Sequence, residues 1–274
     1  MHIRARKALD NFLAEDIGKG DITSNLLPRK KISANIIARE EGITAGTQYA
    51  KYIFASRACK VKILKKDGSK IKPNQKILII SGQAHAILSC ERTALNLLSR
   101  MSGIATQTNH LVNKIEKINP KVRLYSTRKT APGLRLFDKE AVEIGGGNKH
   151  RISLDQMIMI KDNHLAIASL LELIHKAHKR YRTIEVEVEN LNDAILAAKA
   201  GASIIMLDNR SPKEISKIVD TLKILHLRDK VKIEASGGID STNIQSYAKT
   251  GVDMISVGKI TSSAPGLDLS LEVN

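Results

Sequence analysis

The stretch at residues 127–151, TRKTAPGLRLFDKEAVEIGGGNKHR, places Arg128, Lys129, Arg135, Lys139, Lys149, His150 and Arg151 around three consecutive glycines. Two or more arginines with lysine partners suit a compact polyanion that carries carboxylates. A guanidinium binds a carboxylate through two parallel hydrogen bonds, and each charge-assisted bond contributes about 1.5–3 kcal/mol. A solvated loop of mixed charges is the competing reading of the segment taken alone.

Further along the chain, short apolar runs end in groups that can bind or react: Lys161, Asp162, Asn163 and His164; Glu187 and Glu189; Asp208 and Asn209; Ser236, Gly237 and Gly238; and Gly258. Glu185, Glu187 and Glu189 alternate strictly with valines, so in a strand the three carboxylates share one face. If the valines pack outward beneath helices, the carboxylates point into a barrel mouth and need cations, because an unpaired buried charge is prohibitively costly. Lys129, Lys161 or a magnesium ion could supply the charge, and an oxygen-only pair such as Glu187 with Asp208 suits magnesium. An edge strand with a solvated acidic face is the alternative. The glycines of EASGG and SVGK allow backbone N–H groups to approach a phosphate, although ordinary tight turns use glycine in the same way.

These residues need a frame to hold them. Ile3, Ala8, Leu9, Phe12 and Leu13 recur at helical spacing, and residues 17–88 then break into strand-like runs, ISANIIARE, VKILKKDG and QKILIISG, separated by Gly, Pro and Asn. Ser89 is a plausible N-cap for a helix over CERTALNLLSRM, which Ser102 and Gly103 interrupt before IATQTNHLVNKIEKI resumes the period. Beyond Pro120, six runs (VRLYSTRK, QMIMIKDNH, IEVEVEN, SIIMLDN, VKIEASGG, MISVGK) alternate with helical stretches. That alternation predicts parallel β/α units closing into a barrel or an incomplete barrel, with the active site at the carboxyl ends of the strands. No Gly-x-Gly-x-x-Gly follows the first strand and GGGNKH lacks the Lys-Ser/Thr pair of a P-loop, which lowers the nucleotide-binding alternatives.

Composition bounds the function. The chain has 274 residues, 42% of them apolar, enough for one large or two smaller domains without covalent staples. Cys59 and Cys90 stand far apart and in no Cys-x-x-Cys spacing, so neither a disulfide framework nor a zinc site is expected, and a reducing cytoplasm fits best. The N-terminal stretch lacks the apolar core of a signal peptide, and no segment approaches a membrane span in length. A net charge of +16 attracts anions of many kinds, but 3% aromatic content without Trp leaves few platforms for stacked bases, so no nucleic-acid partner is expected.

Taken together, EDIGKGDIT, ERTALNLLSRMSGIAT, TRKTAPGLR, AVEIGGG, IKDNH, EVEVEN, LDN, ASGGI and SVG, in this order from about residue 9 to residue 269, resemble the quinolinate phosphoribosyltransferase family. The resemblance implies an N-terminal α/β sandwich domain at 1–105, with the tail 266–274 as a candidate to pack on it, and an incomplete parallel β/α barrel at 106–265. It implies transfer of the phosphoribosyl group of phosphoribosyl pyrophosphate to quinolinate, with decarboxylation to nicotinate mononucleotide, pyrophosphate and CO2, in de novo NAD biosynthesis. By the same match Arg128, Lys129, His150, Arg151 and Lys161 hold quinolinate, and Arg92 reaches the site of a partner subunit in a homodimer. Glu187 and Asp208 match the magnesium-associated acids, and with Lys129 and Lys161 they make up the catalytic set. Ser236, Gly237 and Gly258 fall where the family binds phosphate. The chain departs from the common pattern at Ser262, where His is frequent, and at Lys149, where Asn is. A nicotinate-using transferase and a molybdenum-transport-associated relative are the nearest rivals, and the number of cations favours a dianionic substrate.

Overall fold

The computed structural model describes residues 3–274. Twelve strands are β1 (Lys31–Ala38), β2 (Gly42–Ile43), β3 (Lys60–Ile63), β4 (Lys70–Ile71), β5 (Lys76–Gln83), β6 (Arg123–Ser126), β7 (Ile158–Ile160), β8 (Ile184–Val188), β9 (Ile204–Asp208), β10 (Lys232–Ser236), β11 (Met254–Val257) and β12 (Leu269–Val273). Ten α-helices are α1 (Ile3–Ile17), α2 (Thr47–Ala55), α3 (Ala84–Glu116), α4 (Arg135–Ile144), α5 (Asp162–Leu165), α6 (Leu170–His178), α7 (Leu191–Lys199), α8 (Pro212–Ile224), α9 (Ile244–Ala248) and α10 (Lys259–Ser262). They sort into two compact units, one of residues 3–109, 130–146 and 260–274, the other of residues 110–129 and 147–259.

The first unit is built on an antiparallel sheet ordered β12-β1-β5-β3, with the short β2-β4 pair beside it. From Ala34 onward β1 is buried at every position, as expected for a strand covered on both faces. The C-terminal β12 pairs along it from Ala34↔Val273 to Ala38↔Leu269. Helix α4 joins this unit because Phe137, fully buried, packs edge-on against Tyr49 with ring centroids 4.9 Å apart, and also meets Phe12 at 5.9 Å. Its neighbour Asp138, also buried, accepts two hydrogen bonds from Arg100 at 2.7 and 2.8 Å.

Here the helix expected to break at Ser102 and Gly103 does not break. α3 runs unbroken for 33 residues, and Ser89 lies within it, its hydroxyl bonded to the Ala86 carbonyl, while the helix begins at Ala84. Gly103 has a packing reason instead of a helix-breaking one. A Cβ there would stand 1.9 Å from the carbonyl oxygen of Pro265, so glycine permits backbone to lie against backbone. Ser102, fully buried, accepts the Ala45 N–H at 3.0 Å.

The second unit is a six-stranded parallel sheet ordered β6-β11-β10-β9-β8-β7, alternating with helices, as its sequence pattern predicts. Strands β9, β10 and β11 are almost wholly buried, the signature of a parallel sheet covered on both sides. Among the described residues β6 and β7 form no ladder with each other, so the sheet ends at two edges and the barrel is incomplete. Ser211 caps α8 with a capping box completed by Glu214, and Pro212 begins the helix.

Candidate active site

Parallel register decides which side chains meet. Glu187 lies opposite Met206, Met206 opposite Glu234, and Asp208 opposite Ser236. Because side chains alternate along each strand, Glu185 and Glu187 share a face with Met206, Asp208, Glu234 and Ser236. The valines behave as their alternation requires: Val186 and Val188 are buried on the other face. At the carboxyl ends of the strands this interior opens into a cavity of 370 Å³ lined by Arg128, Lys129, His150, Arg151, Lys161, Glu187, Asp208 and Ser236, with Met159, Met206, Glu234 and Ser256 among the other walls.

The cations are held by distinct devices. Lys161 leaves β7 and ion-pairs with Glu187, the better buried of the two. Its backbone N–H donates to His164 Nδ1 at 2.9 Å, which turns the chain into α5 and leaves Asp162, Asn163 and His164 exposed, outside the cavity's lining. Arg151 is buried, donating to the Met157 carbonyl at 3.2 Å and approaching the Met159 sulfur at 3.2 Å. Burial and the neighbouring charge of Arg128 both disfavour its cation, while Glu185 supports it. Arg128 Nε is buried without a hydrogen-bond partner, a donor aimed at an acceptor that the protein itself does not provide.

His150 is the least ordinary residue here. Its backbone adopts the left-handed conformation, φ 55°, which is uncommon outside glycine. Nε2 lies 3.3 Å from Glu185 Oε2 and 3.3 Å from Glu234 Oε2, both carboxylates being fully buried. Nδ1 lies 2.9 Å from the Arg151 backbone nitrogen, and Tyr125 packs edge-on against the ring at 5.8 Å. Burial alone would lower the imidazole pKa, but the two facing carboxylates, Glu185 and Glu234, more than offset this and raise it to about 9. Glu185 is pushed upward mainly by desolvation, against the pull of His150. Sequence reading took Glu185 only as part of an alternation and passed over Glu234 entirely. The signal was available, since Glu234 stands two residues before Ser236 and therefore on the same face of its strand.

Other anticipated residues sort as follows. Gly237, φ 87°, lies against Asn209: a Cβ would come 2.3 Å from Asn209 Oδ1, so packing within the turn already requires glycine. At Gly258 a Cβ would meet the Lys129 side chain at 3.2 Å, so its absence leaves room for that lysine at the rim. Glu189 is exposed beyond the end of β8. Arg135 donates to Thr130 and Lys139 is wholly buried, both in the first unit, so of the cations in 127–151 only Arg128, Lys129, His150 and Arg151 line the cavity. Arg92 also belongs to the first unit, exposed on α3. Ser262 closes α10, its hydroxyl 3.2 Å from that of Ser263.

This arrangement defines a class: a two-unit α/β protein with a basic, carboxylate-bearing cavity at the carboxyl ends of a parallel sheet, suited to binding polyanions. Family models for the N-terminal and C-terminal domains of quinolinate phosphoribosyl transferase match residues 21–102 and 104–272. A probable nicotinate-nucleotide pyrophosphorylase [carboxylating] from Archaeoglobus fulgidus is 46% identical over 255 residues, covering 93% of this chain and 98% of that protein. The human nicotinate-nucleotide pyrophosphorylase [carboxylating] is 35% identical over 97% of this chain and 90% of its own length. A crystal structure of nicotinate-nucleotide pyrophosphorylase from Ehrlichia chaffeensis superposes with a TM-score of 0.94 at 35% identity, covering the whole of both chains. The chain belongs to the quinolinate phosphoribosyl transferase family. Among the described residues no helix is long and apolar enough to cross a membrane.

Proposed function

We propose that the chain transfers the phosphoribosyl group of phosphoribosyl pyrophosphate to quinolinate and releases the 2-carboxylate as CO2, forming nicotinate mononucleotide for NAD biosynthesis. The observation that carries this reading is the gathering of Arg128, Lys129, His150, Arg151 and Lys161 in one cavity with Glu187 and Asp208. Two carboxylates on a planar ring are matched by that many donors. A monocarboxylate such as nicotinate would leave one of them desolvated and unpaired, an outcome that a site built on hydrogen bonds rejects strongly. The orphaned Nε of Arg128 is one such donor.

Arg128, Arg151 and His150 would bind the dicarboxylate, with Lys129 and Lys161 shared between it and the donor. Glu187 and Asp208 offer carboxylate oxygens on neighbouring strands of the same cavity, a donor set that fits magnesium bound through one or two carboxylates and substrate phosphates. Bound there, the ion would neutralise developing charge on pyrophosphate. Ser236, Gly237 and Gly258 would face the phosphates from the neighbouring strand ends.

In the reaction the ring nitrogen bonds to the anomeric carbon as the carbon–oxygen bond to pyrophosphate breaks, the bonding electrons leaving with pyrophosphate. Positive character at the anomeric carbon makes Glu187 and Asp208 favourable neighbours, and Lys129 and Lys161 stabilise the departing anion. The carbon–carboxylate bond then breaks, its electron pair remains at C2 beside the new pyridinium, CO2 departs, and a proton from solvent completes C2. No nucleophilic side chain is required. A homodimer in which Arg92 completes the partner's site, working in the cytoplasm, accords with the exposure of Arg92 in the first unit.

The test is product formation from phosphoribosyl pyrophosphate and magnesium with either quinolinate or nicotinate, following nicotinate mononucleotide and CO2. Turnover with quinolinate alone, one CO2 released per nucleotide, is expected. Turnover with nicotinate alone would overturn the assignment.

A further inference from the structure

The mechanism above uses neither Glu185 nor Glu234, yet both are fully buried, and burying two carboxylates is costly enough to need a reason. Both point at a single atom, His150 Nε2, at 3.3 Å each, and neither oxygen of Glu185 nor Oε1 of Glu234 is completed by a hydrogen bond. The opposite ring nitrogen lies 2.9 Å from the Arg151 backbone nitrogen. The ring is thus gripped from β8 and β10 on one side and from its own left-handed turn on the other.

We propose that Glu185 and Glu234 are positioning residues for the quinolinate half of the site, acting through His150. Facing Nε2 together, they hold the ring as a cation between β8 and β10, and so fix both the ring and the start of the Arg151 side chain. The other charged or titratable groups around the ring are Tyr125, which packs on the imidazole, the guanidinium of Arg151, which supports Glu185, Arg128, which opposes Arg151, Lys232 across the second hollow, and Lys129, Lys161, Glu187 and Asp208 across the cavity. His150 and Arg151 border the 370 Å³ cavity and also a second hollow of 320 Å³ lined by Tyr125, Gln156, Met157, Ile204, Lys232 and Met254. Between these two hollows the carboxylates anchor the ring of His150 from β8 and β10. Positioning of this kind, in which a buried partner orients a contact residue, preserves the geometry of a site.

The inference rests on the reading of this cavity as the quinolinate site, and its test separates the two. Glu234→Gln and Glu185→Gln each remove one buried charge while keeping the shape and leave His150 facing the other carboxylate, and thermal unfolding checks that each variant is folded. The KM for quinolinate is expected to rise about tenfold, and that for phosphoribosyl pyrophosphate to change less than about twofold. In a His150→Phe background the same substitutions should add nothing to the quinolinate KM. Equal shifts for both substrates, or full additivity with His150→Phe, would overturn the proposal.

A second measurement needs no substrate. In 15N-histidine-labelled wild-type protein, one ring, identified by its loss in His150→Phe, should keep both nitrogens protonated from about pH 6 to about pH 8, and Glu234→Gln should bring its titration down toward ~6.5. A His150 ring that already titrates near ~6.5 in the wild type would sink the idea, whatever the enzyme's substrate proves to be.

Discussion

Arg151 joins the sequence motif to the physics of the cavity. It is buried, its guanidinium held by the Met157 carbonyl and the Met159 sulfur, and it lines the cavity beside Arg128. Losing it removes charge-assisted bonds to a carboxylate worth about 1.5–3 kcal/mol each, so Arg151→Ala should raise the quinolinate KM about 10- to 100-fold. The donor KM should move far less; equal losses for both substrates in steady-state kinetics would contradict its placement. In the loop after β10, Asp240 is held down to a pKa of about 2 by the Thr242 hydroxyl and amide and by Lys259. A depressed carboxyl contributes stability above its unfolded pKa, near ~4, and loses it as pH falls through the folded value. Acid unfolding followed by circular dichroism should therefore begin at higher pH in Thr242→Val than in wild type. Coincident acid midpoints would show that Asp240 gains nothing from this turn.

At the scale of elements, the long helix and the carboxylate strand show what patterns convey and where they mislead. Ser-Gly inside a helical period reads as an interruption, because glycine costs helix stability and also punctuates loops. In α3 the helix tolerates that cost, since Gly103 admits the Pro265 backbone where any Cβ would collide with it. Gly103→Ala should thus destabilise the protein by ~1–3 kcal/mol in denaturant titrations despite alanine's better helix propensity. Ser89→Ala, at the position that looked like a cap, should stay within about 0.5 kcal/mol of wild type. A stabilising Gly103→Ala would mean that the C-terminal segment does not need that approach. The Glu-Val alternation of β8 was legible as two faces, but a period of two does not tell which cation each carboxylate meets. Glu187 meets Lys161 from the next strand and Glu185 meets His150 from a distant turn.

For the whole molecule, the proposed exchange of Arg92 between subunits makes a prediction that no single-chain property can imitate. Arg92→Ala and Lys129→Ala should each be nearly inactive, and mixed dimers should recover about a quarter of wild-type activity per site, because one of the two sites then contains neither substitution and half of randomly formed dimers are hybrids. Verified hybrids without recovery would count against the shared site. The net charge of +16 acts at this scale too, as a field that favours encounter with polyanionic substrates, so kcat/KM should fall as ionic strength rises.

The alternation of strand and helix beyond Pro120, the apolar periods and the reactive groups at strand ends are local properties of the chain, written into neighbouring residues by backbone geometry. They determine the parallel β/α architecture and most of the cavity's residues. Which of those residues meet is a matter of register and of turns with positive φ, which bring together atoms far apart in sequence. Only tertiary structure could place His150 between Glu185 and Glu234, seat Arg151 behind Met157 and Met159, and send Arg135 and Lys139 of the same cationic stretch to the other unit. Periodicity reports which way a side chain faces, whereas the partner it finds depends on long-range pairing that no local pattern encodes.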